Sequence, residues 1–166
     1  EHIAREIIQA KALHVHFGGG EPLMRKDFSS VAACLTNAGI NVSLSSNGTY
    51  IDEDVAQLLL RIPVDRVALS FHGITPVTHD AFTCHPGAFD GLLEACANVV
   101  RAGVRTKIVY SLNARTRQEA TGVFDLALLM GYRPHDEYLV YLAPFYSRTQ
   151  VEGEVKFASG KTFPFT

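Results

Sequence analysis

The residues best placed to do chemistry lie in one run, His14-Val15-His16-Phe17-Gly18-Gly19-Gly20-Glu21-Pro22. The run reads as a strand that ends in three glycines, an acid and a proline. Consecutive glycines carry no side-chain bulk, so a ligand can lie directly on the backbone. Pro22 fixes φ and removes a donor, which stops the strand. Glu21 is then held at a strand mouth beside bare backbone. A carboxylate there accepts a charge-assisted hydrogen bond from a ligand ammonium group, and strand-end carbonyls can accept others. The plainer alternative is a tight strand-to-helix turn with a surface Glu.

The chain around this run is 166 residues long, enough for one domain with a sizeable core. It is 47% hydrophobic and 19% charged, with a formal net charge of −2. That balance indicates neither a nucleic-acid nor a membrane surface. No apolar run is long enough to span a bilayer, and no signal peptide is visible. Cys34, Cys84 and Cys96 are far apart and odd in number, with no CxxC pair. They predict a reducing, cytoplasmic setting rather than a disulfide framework.

Periodicity supplies the elements that must position the run. Helices are predicted over 2–11, 27–38, 88–102 and 117–130, and another follows Asp52 and stops at Pro63. The helix at 117–130 is expected to open with a capping box of Thr116 and Glu119. Strands are predicted over 12–17, 41–46, 66–71, 105–112 and about 137–143, and 74–87 reads as a loop. Gly39, Gly103 and Gly131 each close a helix shortly before a strand. Alternating strands and helices imply a parallel sheet with right-handed crossovers. The chain opens on a helix, so a further strand is expected upstream of Glu1.

Four of the strands alternate. Val42 and Leu44 alternate with Ser43, Ser45 and Asn47. Val67, Leu69 and Phe71 alternate with Ala68, Ser70 and His72. Ile108, Tyr110 and Leu112 alternate with Lys107, Val109, Ser111 and Asn113, and Leu13, Val15 and Phe17 with Ala12, His14 and His16. Successive side chains point to opposite faces, so one face is apolar and suits helices while the other is polar. A parallel sheet rarely leaves one face bare, which favours a curled, open barrel with a polar lumen. Its polar groups cluster at the C-terminal strand ends, where such folds place their sites.

Phe17-Gly18-Gly19-Gly20-Glu21-Pro22-Leu23 resembles the GGEP strand end of radical S-adenosylmethionine enzymes. Ser46-Asn47-Gly48-Thr49, Val67-Ala68-Leu69-Ser70-Phe71-His72-Gly73 and the stretch from His79 to Phe89 resemble later segments of that family, in the same order. The resemblance covers roughly residues 10–145, leaving 146–166 as a tail that forms a hairpin or begins a further segment. It implies a partial (β/α) barrel of about five of the family's six units, binding S-adenosylmethionine and a 4Fe–4S cluster. In the family the reduced cluster cleaves the cofactor to a 5′-deoxyadenosyl radical that abstracts a substrate hydrogen, with an electron donor serving the cluster. The substrate implied is a small molecule or peptide. The cluster ligands, CxxxCxxC, are absent from this sequence and are expected upstream.

By the same resemblance Gly19, Gly20 and Glu21 contact the methionine ammonium and Pro22 shapes the turn. Ser70 lies near the ribose or carboxylate. His72 takes a place where many relatives carry Asp, and Asn47 and Asn113 point into the lumen. Other readings stay open. His14 and His16 suit substrate contact or hydrogen-bonded packing. With His72 they resemble the metal ligands of barrel hydrolases, since neutral imidazoles suit zinc. A non-catalytic barrel that binds a nucleoside or a partner is the third reading. Cys34 and Cys96 are expected as core side chains, Cys84 as an inert loop thiol, and His79 and His85 as solvated loop residues. Lys107, Arg115 and Arg117 suit an anionic substrate or a solvated rim.

Overall fold

Five strands pair in parallel in chain order, which places every connecting helix on the same side of the sheet. The computed structural model describes residues 2–131 together with the strands Val140–Pro144, Gly153–Lys156 and Thr162–Phe165. α1 (His2–Gln9) leads into β1 (His14–Phe17), and a short 3-10 turn, Pro22–Met24, precedes α2 (Phe28–Asn37). β2 (Asn41–Ser46), α3 (Glu53–Arg61) and β3 (Arg66–Phe71) follow. Then come α4 (Pro76–Thr83), α5 (Ala88–Ala102), β4 (Thr106–Leu112), α6 (Gly122–Leu129) and β5 (Val140–Pro144). β6 (Gly153–Lys156) and β7 (Thr162–Phe165) form a separate antiparallel pair.

The alternation of the strands decides which face the helices cover. Val42, Leu44, Val67, Leu69, Phe71, Ile108 and Tyr110 are all fully buried, and they pack with Leu35 of α2, Leu59 of α3 and Leu92 and Val99 of α5. Burying each such side chain stabilises the fold by about 1.5–3 kcal/mol. The opposite parity carries His14, His16, Ser43, Ser45, Ser70, His72 and Ser111. Sequential order with helices on one face is the winding of an open (β/α) barrel, and the polar parity lines its concave side.

Local signals hold most of the boundaries. Asp52 accepts from the Val55 N–H at 2.8 Å and caps α3. Gly39, Gly103 and Gly131 all adopt left-handed φ where helices end. Gly48, at φ 87°, turns the chain after β2 so closely against α5 that a Cβ would sit 2.9 Å from Leu92 Cδ1.

Several expectations need correction. The predicted loop at 74–87 contains α4. Thr75 caps it by accepting from the Thr78 N–H, and Pro76 sits at its first position, where the fixed φ favours a helix. The capping box at Thr116 and Glu119 does not form, and α6 starts only at Gly122. Thr116 Oγ1 instead accepts from the Asn113 N–H and donates to the Ser111 carbonyl. Glu119 Oε2 accepts from the Ile74 N–H and the Thr78 hydroxyl, tying the start of α4 to the loop after β4. β1 begins at His14, so Leu13 is 85% exposed rather than packed under a helix. Cys34 faces solvent, while Cys96 is buried as expected. His79 is only 2% exposed and is not a solvated loop residue. The first part of the last predicted strand, 137–139, lies outside the described residues.

Candidate functional site

Glu21 follows the three glycines and caps the 3-10 turn, with Pro22 buried directly behind it. Its carboxylate accepts three hydrogen bonds. Oε1 takes the Leu23 N–H at 3.2 Å and the Ser46 hydroxyl at 3.0 Å, and Oε2 takes the Asn47 N–H at 2.8 Å. These donors lock the ends of β1 and β2 together. A carboxylate offers about four acceptor positions, so one on Oε2 is left. Beside it Gly18, Gly19 and Gly20 are exposed, and a Cβ built at Gly19 or Gly20 would meet nothing within 4 Å. The strand end therefore presents bare backbone and one oriented carboxylate oxygen, the arrangement an ammonium-bearing ligand requires.

Ser46 is a residue bonded to Glu21 that pattern reading missed. It is 2% exposed and shares the parity of Leu44, on the helix side. A polar residue on an apolar parity was the available signal. Its hydroxyl donates to Glu21 and accepts from the Gly48 N–H at 3.0 Å.

At the end of β3 the ring of His72 lies flat on Phe82 of α4, with centroids 4.2 Å apart and planes 15° from parallel. His72 Nδ1 is 2.8 Å from Ser111 Oγ, and its backbone N–H donates to His79 Nδ1. Burial, with a smaller contribution from His79, pushes the His72 pKa down to about 4, so the ring is neutral at pH 7. Burial also holds His79 below its ordinary value. Gly73 admits the start of α4 at close range, since a Cβ there would sit 2.2 Å from Thr78 Oγ1.

The remaining predicted residues divide. Ser70 is half-buried on the concave face, opposite Val109 in register. Asn47 and Asn113 sit at the ends of β2 and β4, but their side-chain oxygens serve their own turns. Asn47 Oδ1 accepts from Thr49 N–H, and Asn113 Oδ1 from Arg115 and Thr116 N–H. His14 and His16 dock on β2: His14 Nε2 and His16 Nδ1 both lie 2.8 Å from Ser43 Oγ, and His16 Nε2 lies 3.0 Å from Ser45 Oγ. His72 belongs to another cluster, on Ser111. The hydrolase reading is not supported: among the described residues no group of three or more His, Cys, Asp or Glu could hold a metal ion. The same holds for Cys34, Cys84 and Cys96, which lie on separate helices or helix ends.

The comparisons agree with this geometry. The family model described as the Radical SAM superfamily matches residues 1–126. Fe-coproporphyrin III synthase of Methanosarcina barkeri is 34% identical over 110 residues, covering 66% of this chain and 27% of that protein. The AdoMet-dependent heme synthase of the same organism is 34% identical over 113 residues, covering 68% and 32%. The chain thus spans about a third or less of the length of these curated relatives. Among solved structures, Streptococcus suis SuiB bound to S-adenosylmethionine superposes with a TM-score of 0.72 at 15% identity, covering 89% of this chain and 33% of that one. That likeness is one of fold. Together with the family match it places the order of strands, the glycine-rich strand end and the concave polar face in one lineage: the chain belongs to the radical SAM superfamily.

Proposed function

We propose that this chain forms the cofactor-binding core of a radical SAM enzyme, holding S-adenosylmethionine across the C-terminal strand ends while the substrate lies on the concave face. The observation that carries this reading is Glu21, fixed by three donors beside the open backbone of Gly19 and Gly20. In this reading Gly19, Gly20 and Glu21 receive the cofactor ammonium, and Pro22 sets the turn that aims the carboxylate. Asn47 and Asn113 shape the neighbouring turns. Ser70 and His72 lie farther along the same face, on the ribose side. A neutral imidazole bound at Nδ1 to Ser111 suits a hydroxyl-bearing ligand in either tautomer, because a hydroxyl both donates and accepts. When bound at a reduced 4Fe–4S cluster, S-adenosylmethionine supplies the family's hydrogen-abstracting radical chemistry. The cysteines present do not fit such a cluster, so its ligands are assigned outside these 166 residues. The substrate is a small molecule or a peptide, and an electron donor reduces the cluster.

Gly20→Val tests this reading cleanly. Gly20 does not adopt positive φ, and an added Cβ meets no atom within 4 Å. Stability should therefore stay within about 0.5 kcal/mol of the parent. In the full-length, cluster-loaded protein, the S-adenosylmethionine affinity measured by calorimetry should fall by about tenfold or more, since the side chain occupies the ligand's approach. Unchanged affinity in a folded variant would remove the glycine strand end from the cofactor site. Glu21→Gln is less clean, because its amide would point an N–H at one of the three donors and disturb fold and binding together.

A further inference from the structure

A cavity of about 470 Å³ lies between α5 and the start of α3, on the helix side of the sheet and outside the concave chamber. The turn after β2 lines it with Tyr50, Ile51 and Asp52, and α5 lines it with Gly91, Glu94 and Asn98. The volume falls within the roughly 300–1,000 Å³ of ordinary ligand pockets. Two of its glycines have different causes. Gly48 is forced, because its φ is 87° and a Cβ would sit 2.9 Å from Leu92 Cδ1. Gly91 is not forced. It lies inside α5 without positive φ, and a Cβ there would meet nothing within 4 Å. A glycine inside a helix costs stability relative to alanine, and neither a turn nor close packing repays it here. It leaves helix backbone bare along the cavity wall, where a ligand can lie against it.

Asn98 makes a second, independent demand. It is only 9% exposed. Its oxygen accepts from Arg101 at 3.1 Å, and its amide donates to the Ile51 carbonyl at 3.2 Å. An amide nitrogen carries two hydrogens, and the second has no partner among the described residues. Buried donors are rarely left unpaired, so this one calls for an acceptor that a ligand brings. The charge of the lining selects the rest of that ligand. Asp52 and Glu94 line the cavity, and no lysine or arginine does. Asp52 spends Oδ1 on the Val55 N–H and keeps Oδ2, and Glu94 has no ion pair among the described residues. The first amides of α5 are already taken, since Asp80 accepts from the Gly87 and Phe89 N–H groups. An anion would therefore meet two carboxylates and no free helix start. A cation meets charge-assisted acceptors on both walls and the face of Tyr50, a ring 44% exposed.

We infer that this cavity binds a basic residue of a peptide, arginine or lysine, with its cation between Asp52 and Glu94 and a backbone carbonyl on Asn98. Gly91, Glu94 and Asn98 follow one another at helical spacings of three and four, so they share one face of α5. The peptide backbone lies along that face, over the bare turn at Gly91. The site is separate from the cofactor pocket and does not depend on it. It holds the peptide by a residue outside the chamber, so the residue bound here is not the one that reacts.

The test is a titration of the full-length protein, carrying ¹⁵N-labelled glycine, at constant ionic strength. The probes are the blocked tripeptides acetyl-Gly-Arg-Gly amide and acetyl-Gly-Lys-Gly amide, with acetyl-Gly-Gln-Gly amide as the uncharged comparison. The Gly48, Gly87 and Gly91 signals should shift saturably with at least one basic peptide, while those of Gly39 and Gly103, at the far helix ends, stay flat. The glutamine peptide should need about fivefold more for the same shift, and Glu94→Gln should raise the midpoint of the basic peptide by about the same factor, the weight of one partly exposed ion pair. Gly91→Leu keeps an allowed helical backbone and fills the wall, so it should abolish saturation at Gly48 and Gly87. Linear shifts shared with Gly39 and Gly103, equal midpoints for the basic and glutamine peptides, or saturation that survives Gly91→Leu in a folded variant would overturn the inference. Should Gly91→Leu fail to fold, the glutamine peptide and Glu94→Gln decide.

Discussion

Leu69→Ser is expected to unfold the domain, whereas Ser70→Leu, one residue along the same strand, leaves it folded and impairs ligand binding. Leu69 is fully buried between the sheet and its helices. Truncating a buried leucine costs about 2–5 kcal/mol. Leaving a hydroxyl in its place without a partner adds about 1–3 kcal/mol. A combined loss of about 3–8 kcal/mol is comparable to the total stability of an ordinary domain, about 5–15 kcal/mol. Ser70 is half-buried on the concave side, opposite Val109 in register and on the parity away from the helices. A leucine there meets no packed core, so its cost should stay near about 1 kcal/mol. Its bulk lies on the path proposed for the cofactor and should weaken S-adenosylmethionine binding. Urea unfolding followed by circular dichroism reads the first effect, and calorimetry on the full-length, cluster-loaded protein reads the second. Equal destabilisation by the two substitutions would mean that both faces of the sheet are packed, and the concave chamber would be lost with that result.

The contrast between neighbouring residues was legible in the sequence because a strand's period of two is strict. Val42, Leu44, Val67, Leu69 and Ile108 alternate with Ser43, Ser45, Ala68, Ser70, Lys107 and Val109, and no other register puts the large apolar set on one coherent face. The helix-closing glycines were legible for a similar reason, since positive φ at those positions selects glycine. What stayed hidden depends on partners remote in the chain. Thr116 and Glu119 have the spacing of a capping box, but Glu119 is claimed by Ile74 and Thr78, 45 and 41 positions away. α4 was masked by its composition. Threonine, proline and histidine suggest a loop, yet Thr75 and Pro76 are a cap and a first helical residue in the right order. His79 became buried only because that helix exists, for it is the helix that packs the ring against Phe71 and Phe89. At the site, Glu21 was visible as a carboxylate beside glycines. Its bonds to Ser46 and Asn47 were not, because they depend on β1 and β2 being neighbours.

Acid should destabilise the protein between pH 6.5 and about 4, and His72→Gln should flatten that dependence. His72 is stacked on Phe82 and bonded to Ser111, and its folded pKa lies at about 4 against an ordinary 6.5. Below pH 6.5 the unfolded chain takes up a proton at this ring, while the folded chain does not until about pH 4. The unfolded state binds more protons throughout that window, so unfolding becomes easier as pH falls. Above 6.5 the stabilisation is fully present. The separation sets a ceiling of about 3 kcal/mol, at roughly 1.36 kcal/mol per pH unit. Solvent that still reaches the half-buried ring should reduce the loss to about 2 kcal/mol. His79 and His16 are lowered in the same direction, so some slope survives the substitution. The glutamine side chain of the His72→Gln variant can still bond Ser111 but cannot titrate. Lost stacking on Phe82 lowers the variant's stability at every pH, so the readout is the slope and not the absolute stability. Urea midpoints measured at half-unit steps from about pH 7.5 to 4.5, spanning the ordinary histidine range, give both slopes. Identical slopes would show that His72 titrates normally in the fold. The neutral imidazole offered to a ligand hydroxyl would then be charged below pH 6.5, and the role proposed for it at the end of β3 would fail.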